Sequence, residues 1–521
     1  MKQRSRFLFA FLALSATSVL AQPPASPEQP TGARPSAEEA AALAKFPAPP
    51  AEEKVSKTQH AIRINGQELH YTAIAGTLLL RKEDDKPKAS IFYVAYTLDG
   101  ADTAKRPITF TFNGGPGSSS VWLHMGALGP RRVPLTPEGQ PVPPPYRLID
   151  NEQTALIFTD LVFIDPVTTG FSRAAPGVDP KQFHGLEGDL NSVSDFIHRY
   201  LTRYDRWDSP KFLAGESYGT TRAAALSEYL IRNHGIYLNG ITLVSTVLNF
   251  ETLSFGNGND LPYILFLPTY TSTAWYHKKL AGDLQSGGLK EAVEESRKFA
   301  ATTYAQALMK GDQLPDDQRK QIVEQVAHFT GLSPKFIDDN NLRVPAGRFF
   351  KELLRDEKKT VGRYDSRLEG VDQDAASESP EYDPSYAAVQ GAYTAAFNEY
   401  VRGELNWKTD LPYEVLTGKV QPWDFSEFRN SYPNVADRLQ LAISQNQFMR
   451  VLQINGYYDL ATPFFATEYT FDHLGLAPKL RNNISMAYCD AGHMLYLKQD
   501  CLDTLHKNMA QMYKTALSAA H

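Results

Sequence analysis

KFLAGESYGTTRAAALSEYL, running from Lys211 to Leu230, is the stretch that decides the fold. Its first residues, KFLA, are short and apolar, as a strand buried on both faces must be. The segment TTRAAALSEYLIRN that follows is rich in good helix formers. Between them Gly215-Glu216-Ser217-Tyr218-Gly219 matches G-x-S-x-G. A serine on a tight strand-to-helix turn needs small neighbours so that its hydroxyl can project above the sheet. The pattern alone occurs by chance in chains of this length, and its strand and helix flanks are what give it weight.

Working outward, the same alternation continues on both sides. Upstream, ITFTFNGGPG (108–117) is a strand entering a Gly-rich loop, and LVFIDP (161–166) is a short buried run. From Leu186 to Arg206, Leu190, Val193, Phe196, Ile197 and Leu201 recur at helical spacing. Downstream come ITLVSTVLN (241–249), FMRVLQI (448–454), ISMAYCD (484–490) and a closing helix from about Cys501 to Leu517. This predicts an α/β fold with a mostly parallel central sheet flanked by helices. Before it, HAIRI (60–64), QELHYTAIAGTLLLR (67–81) and ASIFYVAYTL (89–98), split by turns such as Asn65-Gly66, read as an antiparallel hairpin region. Between 255 and 435 the rhythm fails. EAVEESRKFA, QRKQIVEQVAHF and GRFFKELLR read there as helices of a cap insertion. The expected division is a signal peptide at 1–21, a flexible lead at 22–55, a core at 56–254, a helical cap at 255–435 and the rest of the core at 436–521.

Composition narrows the function. The chain has 521 residues, 42% hydrophobic and 21% charged, which suits a soluble globular protein with a large core. A formal net charge of -6 argues against nucleic acid or an anionic membrane as the main partner. Lys2, Arg4 and Arg6 precede FLFAFLALSATSVL, which ends at Val19-Leu20-Ala21, the form of a cleaved export signal. The run is short for a membrane span of about 20 residues, so the mature protein is expected to be periplasmic or extracellular, without a membrane anchor. Gln22 to Pro50 is rich in Pro, Ala and Glu, which cannot bury enough apolar surface to order itself. Cys489 and Cys501 lie 12 positions apart, compatible with a disulfide or with two unpaired thiols. HExxH is absent and no His, Cys and acid cluster has metal-ligand spacing, so neither metal nor cofactor is expected.

A serine hydroxyl is a poor nucleophile until a base, oriented by an acid, removes its proton. In an α/β-hydrolase fold the order is serine, acid, histidine. Asp459, in INGYYDLATP just past a strand, and His493, in CDAGHMLYL, fit that order, with Asp490 as the rival acid. The oxyanion needs donors aimed in advance. The Tyr218 N–H is one, and the loop Asn113-Gly114-Gly115-Pro116-Gly117 is placed to supply another. That loop could instead cradle phosphate, but it lacks both the P-loop ending and the dinucleotide spacing.

NGGPGSSS (113–120), ALGP (127–130), IDPVTTGFS (164–172), GESYG, the Asp459 loop and GHM together resemble the serine carboxypeptidase family, in a bacterial-type secreted form. The resemblance implies an exopeptidase that removes the C-terminal residue of peptides bearing a free terminal carboxylate. It implies Ser217, Asp459 and His493 as the catalytic triad, with the Gly115 and Tyr218 N–H groups as the oxyanion hole. Asn113, the Gly114 N–H and Glu216 are implied as the binding site for that carboxylate. Ala127 stands where the family usually carries a glutamate that shares a hydrogen bond with the Glu216 position. Its loss argues against a raised pKa at Glu216 and a strong preference for acid. Ser118 stands where a cysteine is frequent. An esterase or acyltransferase on the same scaffold is the competing expectation.

Overall fold

The computed structural model describes residues 51–518, so the export signal expected at 1–21 and most of the lead expected at 22–55 lie outside the described residues, while the end of that lead, from Glu52, is held against the sheet. The chain is fastened to the sheet from Glu52 onward. Thr77 Oγ1 donates to the Glu52 carbonyl at 2.7 Å and accepts from the Lys54 N–H at 2.9 Å. Strands β1 (Val55–Ile64), β2 (Gln67–Arg81) and β3 (Pro87–Leu98) then pair antiparallel. Asn65 and Gly66 both take positive φ, 50° and 80°, the geometry of a two-residue hairpin turn.

Six parallel strands continue the sheet: β4 (Ile108–Phe112), β5 (Asp160–Ile164), β6 (Lys211–Glu216), β7 (Gly240–Val244), β8 (Arg450–Gly456) and β9 (Ile484–Cys489). The spatial order is β1-β2-β3-β5-β4-β6-β7-β8-β9, parallel from β5 onward. The order of sequence and the order in space cross at β4 and β5, so the loops leaving β4 and β6 open beside each other at the carboxyl edge, where α/β sheets bind ligands.

Helices cover both faces. Those used below are α1 (Leu186–Arg203), α2 (Tyr218–His234), α3 (Leu261–Tyr276), α4 (Leu289–Phe299), α5 (Asp316–Thr330), α6 (Pro384–Gly403), α7 (Ala436–Gln445) and α8 (Gln499–Ser518). Alternation along each strand divides the core in two. Phe92, Val94, Tyr96, Phe212 and Ala214 face one way, onto α6 and α8 through Tyr393, Phe397, Met509 and Tyr513. Ile91, Tyr93, Ala95 and Leu213 face the other, onto α1, α2 and α7 through Val193, Phe196, Leu226 and Leu439. This is the α/β-hydrolase arrangement expected from the sequence.

The segment read as one helical cap, 255–435, packs as two parts. Its first part encloses a separate core in which Tyr270, Phe299 and Phe329 of α3, α4 and α5 meet Phe349 of the short helix Ala346–Glu352. Its second part returns to the main body. In α6, Val389, Tyr393, Phe397 and Tyr400 recur every three or four residues and join the sheet's own core. The loop after α6 adds Val415 to one sheet face and packs Trp423 and Phe425 against the other.

Cys489 and Cys501 form a disulfide, with Cα atoms 5.8 Å apart, which ties the end of β9 to the start of α8. Among the described residues no helix is long and apolar enough to cross a membrane. Closing a loop of this length restricts the unfolded chain by roughly 3 kcal/mol. Cys501→Ser is therefore expected to lower unfolding stability by about that amount, measured by urea denaturation of the oxidised protein.

Candidate active site

Ser217 is the hinge between β6 and α2, at φ 59° and ψ -130°. A non-glycine residue held there stores about 1–3 kcal/mol of backbone strain, which the surrounding packing must impose. The Ser217 N–H donates to the Val244 carbonyl at 3.0 Å, anchoring the turn to β7. Sterics explain the glycines. A Cβ on Gly215 would sit 2.1 Å from the Gly219 carbonyl oxygen, so no side chain fits. Ser217 is only half-buried, although Glu216 and Tyr218 on either side are buried.

Asp459 and His493 come from the loops after β8 and β9. His493 Nδ1 lies 2.8 Å from Asp459 Oδ2, and both side chains are buried. Asp459 is fixed in turn by the N–H groups of Ala461 (2.8 Å) and Thr462 (2.9 Å) and by the Thr462 hydroxyl (2.7 Å). The Thr462 hydroxyl also lies 3.2 Å from His493 Nδ1. Burial pushes the His493 pKa down, but the Asp459 carboxylate outweighs it and the net value is above the ordinary histidine range. Asp490, the rival acid, is exposed, and its carbonyl accepts from Arg367 at 3.3 Å.

Ser245 brings His493 and Ser217 to one place. It follows Val244, which holds the Ser217 turn, and its hydroxyl donates to the His493 carbonyl. The His493 N–H donates to Tyr364, whose ring lies 5.1 Å from the imidazole. With Nδ1 committed to Asp459, Nε2 is the nitrogen left for Ser217. Among the described residues the two side chains are not hydrogen-bonded, a contact that commonly tightens only when substrate is bound.

The Gly-rich loop meets the same turn. A Cβ on Gly114 would lie 2.3 Å from the Tyr218 nitrogen and 2.6 Å from that of Gly219, so only glycine lets the loop close on the nucleophile. The Tyr218 N–H opens α2 and has no intrahelical acceptor. Gly115, at φ 102°, follows directly. The loop is clamped from below. Arg222 Nη1 donates to the Asn113 carbonyl at 2.7 Å, while its Nε pairs with buried Asp189 at 2.7 Å.

Glu216 points into a closed corner beside Ser217, with 3% of its surface exposed. Tyr496 donates to its Oε2 at 2.6 Å. Burial pushes the Glu216 pKa up to about 7, against the opposing pull of His493, Tyr496 and Asn113. Asn113 lies close enough to Glu216 to favour its charged form, yet its Nδ2 is buried without a hydrogen-bond partner among the described residues. The missing glutamate at Ala127 therefore does not leave Glu216 with an ordinary pKa, although its absence puts a raised value in doubt from sequence. Burial supplies most of the upward shift, with the Asp459 charge adding to it, and Ala127 sits in the apolar core. Sequence reading missed Ser245, Thr462, Tyr364, Arg222 and Tyr496 as supports of this site. An Asp followed three residues later by Thr was the one local signal available.

A family model described as serine carboxypeptidase matches residues 67–500. Among curated relatives, Carboxypeptidase Y homolog of Arthroderma benhamiae is 28% identical over 220 residues, 40% of this chain and 40% of that protein. P-(S)-hydroxymandelonitrile lyase of Sorghum bicolor is 26% identical over 215 residues, 40% of this chain and 37% of that protein. The matches thus span about two fifths of the length of these relatives. Among solved structures, proline iminopeptidase of Mycobacterium smegmatis aligns at 14% identity and a TM-score of 0.35, over 86% of this chain and 100% of that one. On the match across residues 67–500, the chain belongs to the serine carboxypeptidase family.

Proposed function

We propose that this protein is a serine carboxypeptidase that hydrolyses the last peptide bond of peptides with a free C-terminal carboxylate. The observation that carries the reading is the buried carboxyl of Glu216, its pKa pushed up to about 7 by burial, next to the half-buried Ser217. A carboxyl group can donate a hydrogen bond to a carboxylate only while protonated, and burial keeps it so up to about pH 7. Asn113 Nδ2 and the Gly114 N–H are assigned to the same substrate carboxylate.

The chemistry follows from the donors and acceptors. Ser217 Oγ attacks the last peptide carbonyl while His493 Nε2 takes its proton, and Asp459 stabilises the imidazolium through Nδ1–H. The oxyanion is assigned to the N–H groups of Tyr218 and Gly115. His493 then gives its proton to the leaving nitrogen, which departs as the free amino acid. Water attacks the acyl-Ser217 ester, His493 takes its proton, and the shortened peptide leaves with Ser217 restored.

The export signal at 1–21 and the disulfide, a bond that persists in oxidising compartments, support a periplasmic or extracellular location.

The test compares pH profiles of kcat/KM for an N-blocked dipeptide and for its C-terminal amide. Above about pH 7 ionised Glu216 would repel the substrate carboxylate, so the free acid should lose activity there. The amide should lack that descending limb. Identical profiles would remove carboxylate recognition and favour an esterase or acyltransferase.

A further inference from the structure

The corner around Glu216 holds more hydrogen-bond donors than its acceptors require. Tyr496, in the turn after His493, uses its hydroxyl on Glu216 Oε2. Tyr393, on α6, has a fully buried hydroxyl with no partner among the described residues. The Tyr393 hydroxyl lies near the edge of the Tyr496 ring. A Cβ built on Gly126 would lie 2.5 Å from the Tyr393 hydroxyl and 2.5 Å from Tyr496 Cε2, so Gly126 is the floor on which both rings rest. Asn113 Nδ2 is likewise buried and unpartnered. A buried polar group without a partner destabilises the free protein. Several such groups beside one acid indicate an acceptor that arrives from outside.

We propose, on the carboxypeptidase reading above, that Tyr496 and Tyr393 complete the carboxylate pocket, Tyr496 as the positioning residue of Glu216 and Tyr393 as a further donor to the substrate. With Oε2 occupied by the Tyr496 hydroxyl, the proton of neutral Glu216 belongs on Oε1, the oxygen left to face the substrate. Tyr393 then offers its hydroxyl to the same carboxylate, where Asn113 Nδ2 also finds its acceptor. The groups that set the charge of this corner are Glu216, His493, Asp459, Tyr364, Tyr496 and Tyr393, with Arg132 beyond Tyr393. The Tyr496 hydrogen bond favours ionised Glu216, so removing it lets Glu216 stay neutral to higher pH.

Tyr496→Phe and Tyr393→Phe test this, each assayed with an N-blocked dipeptide and its amide, with Tm recorded alongside. Each variant is expected to raise KM for the free acid about tenfold, the scale of one hydrogen bond to a charged group, with kcat within about threefold. The ratio of acid to amide kcat/KM should fall to match. In Tyr496→Phe the descending pH limb of the free acid should also move upward. In Tyr393→Phe Tm should hold or rise, because an unpartnered buried hydroxyl has been removed. Unchanged acid-to-amide ratios in both variants would overturn the proposal. So would a Tyr496→Phe loss that lowers Tm and leaves the pH limb in place, since that is a packing role. Should the wild type process acid and amide equally, the carboxypeptidase reading itself falls and takes the proposal with it, whatever the tyrosine variants do.

Discussion

Ser217→Ala is expected to lower kcat for peptide hydrolysis by roughly 10⁶-fold, with KM changed only a few-fold. The size follows from what remains. Without Oγ no acyl-enzyme can form, and His493 has no proton to take from the protein. The proposed oxyanion donors, the Tyr218 and Gly115 N–H groups, and the proposed carboxylate pocket would still hold substrate, so a small residual rate over water should survive. The fold should survive as well, because the Ser217 N–H holds the turn to β7 and its side chain binds no other side chain among the described residues. Stopped-flow or end-point release of the C-terminal amino acid measures the loss, and a residual rate within a hundredfold of wild type would exclude Ser217 as nucleophile.

Asp459→Asn is expected to lower kcat by about 10⁴-fold. The amide keeps an oxygen for the Ala461 and Thr462 N–H groups, so the loop should hold its shape. It cannot serve as the anionic partner of His493 Nδ1. The imidazole then loses the charge that stabilises its protonated form and the bond that fixes its tautomer. Burial, then opposed chiefly by Glu216, should bring the His493 pKa down, so the ascending limb of the residual activity should move to lower pH. A pH profile of the variant checks both effects at once.

Much of this site was legible because its constraints are local. The tightness of the turn at Ser217 requires small residues at Gly215 and Gly219, and the flanking strand and helix show in their composition. Asp459 and His493 could be chosen because each follows a recognisable strand, β8 or β9. Asp490 sits too close to His493 in sequence to be the first choice of acid, and it is exposed where Asp459 is buried. The disulfide needed a Cα separation that spacing could not supply. The second half of the insertion was harder. The apolar stripe of α6 is regular, but nothing local says whether it faces a cap or the sheet. Tyr496 lies 280 positions from Glu216, and a tyrosine after a histidine turn reads as ordinary core. The sequence left the Glu216 pKa open for a related reason. Sequence drew attention to a missing charged neighbour at Ala127, whereas enclosure by many uncharged groups decides the value.

The most direct test of the central claim is mass spectrometry of a peptide incubated with the enzyme, beside the same peptide with an amidated C-terminus. The expected result is stepwise loss of single residues from the carboxyl end of the free acid, well ahead of any processing of the amide, and abolished in Ser217→Ala. Internal cleavage, equal processing of both peptides, or undiminished trimming by Ser217→Ala would contradict it.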